Sequence, residues 1–256
     1  MDADEVLVEH PCDGVAVIKF NRPERLNAVR PSTVSAFAET VARIAADTSI
    51  RAVILTGAGR GFCSGVDLSA TAEFPPQDVL VATEWMRELF AGALAWSRLP
   101  QPTIAVVNGP AIGGGFGFAM ACDIRIASPQ ARFAATFVNI AMGADAGLSH
   151  TLPLIVGHAT ALELLLTAQT VDADEALQLG MVSQVTDDPM TMAIALAQRF
   201  AAVPGHLSRG IKATLQRSAE VDLPTAISDV EVRAQAEFFC HPDFFANAAR
   251  WLNAHA

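Results

Sequence analysis

Thr103-Ile104-Ala105-Val106-Val107-Asn108-Gly109-Pro110-Ala111-Ile112-Gly113-Gly114-Gly115-Phe116-Gly117 sets an apolar run against a glycine-rich turn, and an apolar helical stretch to about Cys122 follows. A short apolar run without alternation reads as a strand buried on both faces. Three successive glycines let backbone approach a ligand closely. A helix that starts there aims free N–H groups and its positive dipole end at whatever docks. The stretch therefore reads as an anion or oxyanion site, or as tight strand-to-helix packing.

A second such unit lies upstream. Ala52-Val53-Ile54-Leu55-Thr56 is a buried strand, and Gly57-Ala58-Gly59-Arg60-Gly61-Phe62-Cys63-Ser64-Gly65-Val66-Asp67-Leu68 follows it. The glycines at 57, 59 and 61 miss the GxGxxG spacing of a dinucleotide fold. Around these units the sequence predicts strands at Val6 to Glu9, Val15 to Phe20 and Ile124 to Ala127. It predicts helices from Thr33 to about Ala46 and from Val79 to Trp96. Strands alternating with helices argue for an α/β fold. Beyond about Gly147 the chain reads as mainly helical, its last segment running from Ala226 to Trp251 with Pro242 near its middle.

With 17 Lys and Arg against 27 Asp and Glu, the chain carries a net charge of −10 and repels nucleic acid. No apolar run approaches the roughly 18 residues of a membrane span. The acidic start, Met1-Asp2-Ala3-Asp4-Glu5, lacks the features of a secretory signal and predicts a cytoplasmic protein. Cys12, Cys63, Cys122 and Cys240 form no CxxC pair, so reduced thiols are expected, with no metal site and no disulfide framework.

The two turns together resemble the crotonase, or enoyl-CoA hydratase/isomerase, superfamily. Supporting motifs are Asn21-Arg22-Pro23-Glu24-Arg25-Leu26-Asn27-Ala28, Cys122-Asp123-Ile124-Arg125-Ile126-Ala127 and Gly180-Met181-Val182, so the resemblance runs from about Val15 to Arg250. It implies an α/β superhelix of ββα units, with an acyl-CoA-binding core over residues 1–195 and a helical oligomerisation region over 196–256. A homotrimer or dimer of trimers is implied, with no cofactor besides the coenzyme A of the substrate. The N–H groups of Val66 and Gly114 become the oxyanion hole, each such donor contributing about 3 kcal/mol to an enolate-like transition state. Arg25, Ala28, Ser64, Asp67 and Leu68 become coenzyme A contacts. For Arg25 the bland alternative is a solvated surface residue, and for Asp67 a turn-stabilising carboxylate.

A family hydratase divides general base and general acid between two glutamates. At the matching positions this chain has Gly117 and Phe137. Asp145, in Met142-Gly143-Ala144-Asp145-Ala146-Gly147-Leu148, sits where isomerase-type and dehalogenase-type members carry their working carboxylate. The expectation is a Δ3,Δ2-type enoyl-CoA isomerase of fatty acid metabolism with Asp145 as proton shuttle. A helix N-cap is the competing role for Asp145. The alternatives are a hydratase, a dehalogenase-like enzyme, for which no histidine falls between His10 and His150, and a non-catalytic acyl-CoA-binding protein. Glu84 and Glu88 share a helix face that reads as solvated, with Trp85, Met86, Leu89 and Phe90 as core or pocket wall. His150 reads as a surface or packing histidine.

Overall fold

The computed structural model describes residues 4–69 and 78–254, which fall into two compact units, Met1–Ala202 and Val203–Ala256. The first is mixed α/β. It runs β1 (Val6–Cys12), β2 (Val15–Phe20), α1 (Pro31–Ala46), β3 (Ala52–Gly57), α2 (Val79–Ser97), β4 (Thr103–Val107), β5 (Pro110–Ile112) and α3 (Gly114–Met120). It continues with β6 (Ile124–Ala127), β7 (Arg132–Ala134), α4 (Leu148–Val156), α5 (His158–Thr167), β8 (Thr170–Asp172), α6 (Ala173–Gln178), β9 (Gln184–Val185) and α7 (Pro189–Ala201).

One sheet has the order β1-β2-β3-β4-β6-β9, parallel from β2 onward, and a smaller sheet has the order β5-β7-β8. Both faces of the larger sheet are covered, which is why its central strands carry no polar alternation. Val15, Val17, Ala52, Ile54, Ile104, Val106 and Ile126 face α7, whose Ala193, Ala197 and Ala201 recur every four residues and let the helix lie close. The opposite face packs Ile18, Phe20, Val53 and Leu55 against Val34, Phe37, Val41 and Ile44 of α1. Phe37 there meets Phe20 at 5.2 Å and Trp96 at 5.6 Å between ring centroids. α7 packs on the first of these two faces, and the first unit runs to Ala202.

The second unit is helical. It comprises α8 (Gly205–Ser218), a short α9 (Leu223–Thr225), a π-helical stretch (Ala226–Glu231), α10 (Val232–Phe239) and α11 (Asp243–Ala254). The region after Gly147 is mainly helical, as expected, with two short strands, β8 paired with β7 and β9 with β6. One expectation needs correction. The last helix is not continuous through Pro242, because that residue cannot supply the helical N–H, and the chain turns between Phe239 and Asp243. No helix among the described residues is long and apolar enough to cross a membrane.

Candidate active site

The two glycine-rich turns meet edge to edge. Cys63 bridges Ala111, and the Ile112 N–H donates to the Cys63 carbonyl at 2.9 Å. Gly115 is required by this approach, since a Cβ on it would lie 2.0 Å from the Cys63 oxygen. Gly65 has φ +87°, and a Cβ there would stand 2.9 Å from the Ile112 oxygen and 3.6 Å from the Gly114 nitrogen. Two side-chain amides, of the buried Asn27 and the half-buried Asn108, brace the first turn. Asn27 Nδ2 donates to the carbonyls of Ala58 (2.9 Å) and Gly61 (2.7 Å), and Asn108 Nδ2 donates to those of Gly57 (3.0 Å) and Gly59 (2.8 Å).

This bracing leaves two N–H groups to spend. Val66 lies in a parallel bridge with Val29 whose bonds use the Gly65 carbonyl and the Asp67 N–H, so the intervening Val66 N–H points away from that partner. Gly114 opens α3, and a first-turn N–H has no carbonyl four residues back to accept it. Val66 and Gly114 line the same cavity, of about 620 Å³, together with Asp145.

Asp145 reaches the cavity from the loop before α4. A Cβ on Gly114 would be 3.3 Å from Asp145 Oδ1, so the carboxylate stands directly over the second turn. That oxygen is enclosed and has no hydrogen-bond partner, and desolvation by burial pushes the pKa up to about 6. Its side chain does not cap α4. The N-cap is Gly147 (φ 82°), and only the Asp145 backbone carbonyl takes part, accepting from the Leu148 N–H at 2.9 Å. Ala146 (φ 48°) and Gly147 turn the loop so that Ala146 fills the space beside Gly117. A Cβ on Gly117 would meet the Ala146 methyl at 2.7 Å.

The wall opposite is apolar. Trp85, Met86, Leu89 and Phe90 of α2 form one side and Phe137, buried in the 3-10 turn Thr136–Ile140, forms the other. Glu84 and Glu88 lie on the exposed face of α2, and Glu84 pairs with Arg87 there. His150 is exposed and outside the cavity lining. Among the described lining residues there is no histidine.

Of the residues assigned to coenzyme A, Ser64 and Leu68 line the cavity, with Leu68 exposed. Ser64 Oγ donates to the Arg25 carbonyl at 3.1 Å, while the exposed Arg25 side chain and the buried Ala28 lie outside the lining. Asp67 lies outside the lining and makes turn-stabilising bonds. Its Oδ1 accepts from Ser69 Oγ (2.6 Å) and Ser69 N–H (3.1 Å), and its Oδ2 accepts from Arg22 Nη2 (2.8 Å). The Ser69 hydrogen bonds, helped by Arg22, hold this buried carboxyl down to about 2. Thr136, Asn139, Ile140 and Met142 also line the cavity without having been singled out from the sequence. A 3-10 turn has no long apolar period, so nothing in its pattern announces which residues face inward.

The profile of the enoyl-CoA hydratase/isomerase family matches residues 11–251. A probable enoyl-CoA hydratase of Mycobacterium bovis is 42% identical over 239 residues, which span 91% of this chain and 82% of that protein. A 4-chlorobenzoyl coenzyme A dehalogenase of an Arthrobacter species is 34% identical over 243 residues, spanning 93% and 87%. Among solved structures, a monofunctional enoyl CoA isomerase from M. smegmatis matches with a TM-score of 0.76 at 36% identity, covering 88% of this chain and 99% of that one. Sequence and fold agree over nearly the whole length, and the chain belongs to the enoyl-CoA hydratase/isomerase family.

Proposed function

We propose that this protein isomerises 3-enoyl-CoA thioesters to their 2-enoyl isomers, with Asp145 as the single acid–base group. The observation that carries the reading is the Asp145 carboxylate, unpartnered at Oδ1 and directly over Gly114. The thioester oxygen accepts from the Val66 and Gly114 N–H groups. Asp145 removes a proton from C2; that C–H electron pair forms the C1–C2 double bond and displaces the carbonyl pair onto oxygen, giving a dienolate that keeps the 3,4 double bond and whose oxygen charge faces the two donors. The protonated Asp145 then returns its proton to C4, leaving the 2,3 double bond with no net change in atoms or charge. A carboxyl near pKa 6 suits this shuttle, because it is ionised at neutral pH yet basic enough to take a proton and acidic enough to release it.

Water activation by a pair of carboxylates does not fit the packing. Ala146 occupies the space that a side chain at Gly117 would need, and Phe137 is apolar. An aromatic acyl-CoA is the second reading. The relative named as a dehalogenase and the ring-bearing wall of Trp85, Phe90 and Phe137 favour it, with Asp145 attacking a halogenated ring carbon, halide leaving, and water hydrolysing the resulting aryl ester to restore the carboxylate. Turnover of 3-enoyl-CoA, 2-enoyl-CoA and 4-chlorobenzoyl-CoA by the wild type and by Asp145→Asn separates these readings. Isomerisation that collapses in the variant supports the first; absence of double-bond migration, or undiminished activity in the variant, overturns it. Assembly as a trimer or dimer of trimers belongs to the same reading, and light scattering of the purified chain tests it.

A further inference from the structure

The helical unit 203–256 carries a second cluster of chemistry-bearing groups, unrelated to the acyl pocket. His206 sits in the first turn of α8. Pro242 breaks the chain after α10, and the turn returns His241 against His206 with ring centroids 3.5 Å apart and planes inclined by 14°. Asp243, the first residue of α11, presents Oδ2 to both rings, 3.9 Å from His206 Nδ1 and 3.6 Å from His241 Nδ1. The donor atoms of the three residues all lie within 4.8 Å of one another. Their side chains are 34%, 37% and 50% exposed, so an ion reaches them from solvent. His206 and Asp243 also line a cleft of about 620 Å³ floored by Phe238, Phe244 and Trp251.

The Asp243 N–H donates to His241 Nδ1 at 3.3 Å. Two imidazoles and one carboxylate make a mixed nitrogen and oxygen donor set, which suits zinc, cobalt, nickel or copper and not the all-oxygen preference of magnesium or calcium. Tetrahedral coordination with bonds of about 2.0–2.1 Å puts donors about 3.4 Å apart. The observed N···O separations need only a small contraction, with one exposed ring turning so that its lone pair converges with the other.

We propose that His206, His241 and Asp243 form a three-ligand site for a zinc-class divalent ion, which clamps the start of α8 to the turn between α10 and α11. The fourth position faces the cleft and takes water. The test uses full-length, chelator-treated protein without a histidine tag, titrated with zinc by calorimetry and with cobalt by visible absorption. One equivalent per chain, a cobalt d–d band and a zinc-dependent rise in the melting temperature of the wild type support the site. His206→Ala and Asp243→Asn then each weaken binding by more than about tenfold, while circular dichroism without metal stays as in the wild type. Cys240→Ser, which alters the free thiol beside His241, leaves affinity unchanged. Absence of binding up to about 1 mM zinc, or wild-type affinity in a His206→Ala/His241→Ala double variant, overturns the proposal. So does loss of binding in Cys240→Ser.

Discussion

Asp145→Asn keeps the shape of the side chain, including its enclosed and unpartnered Oδ1, and removes only the charge. The carboxyl pKa, raised from 3.8 to about 6, places a penalty of about 3 kcal/mol on the ionised folded state at neutral pH. For a carboxyl whose folded pKa is raised, the associated stability is fully present below the unfolded value and is lost as pH rises through the folded one. Wild type therefore bears the whole cost above about pH 6, about half of it at pH 5, and almost none below 3.8. Asparagine bears none of it at any pH. Urea unfolding at pH 8 should show Asp145→Asn more stable by up to about 3 kcal/mol, with the gap shrinking by about half at pH 5. Isomerisation of 3-enoyl-CoA should fall by two to four orders of magnitude, about the range contributed by a positioned acid–base group. A variant that is less stable than wild type at pH 8, or a gap that does not change between pH 8 and pH 5, refutes the desolvation argument.

The acid limb of the pH profile follows from the same carboxyl: kcat/KM for 3-enoyl-CoA should rise through an inflection near pH 6, and a profile flat from pH 5 to 8 would exclude Asp145 as the base. Gly117→Ala should cost about 1–3 kcal/mol, since its methyl group meets that of Ala146 at 2.7 Å. Thermal melts should show partial recovery when Ala146, held at φ 48°, is changed to glycine as well. The pair between Arg22 and Asp67 is mostly buried, with side chains 14% and 10% exposed, so Arg22→Ala should lose about 3 kcal/mol in urea titrations at neutral pH. The depressed pKa of Asp67 contributes about 2 kcal/mol above pH 4, lost as pH falls through about 2, and Asp67→Asn should flatten that acid limb of the stability curve. Met86→Ala enlarges the α2 wall of the cavity and should lower KM for longer acyl chains relative to short ones.

Much of the architecture is written locally. β2, β3, β4 and β6 are short, largely apolar runs rich in Val and Ile, and each forms where that pattern predicts. The glycine-rich turns are equally legible, because only glycine allows the approach seen between Gly115 and the Cys63 carbonyl. β8 and β9 are three and two residues long and have no period to read; they exist because β7 and β6 offer edges to pair with. The segment from Ala226 to Trp251 read as one helix, and only the structure shows the chain turning at Pro242 to carry His241 onto His206 from 35 positions away.

The residue types at the site are read from the sequence, and their surroundings come from the fold. Sequence alone placed glycine at 117, phenylalanine at 137 and an aspartate at 145. Asp67 and Asp145 are the same amino acid in similar glycine-flanked loops, and each had two plausible roles. Packing separated them. Ser69 and Arg22 close around Asp67 and hold it ionised as a brace, whereas the Ala146–Gly147 turn takes over the cap of α4 and leaves Asp145 desolvated over Gly114. Partners so far apart in the chain, 45 positions for Asp67 and Arg22, meet only once the sheet and its turns are assembled. A carboxylate's pKa therefore belongs to the tertiary structure and not to the residue.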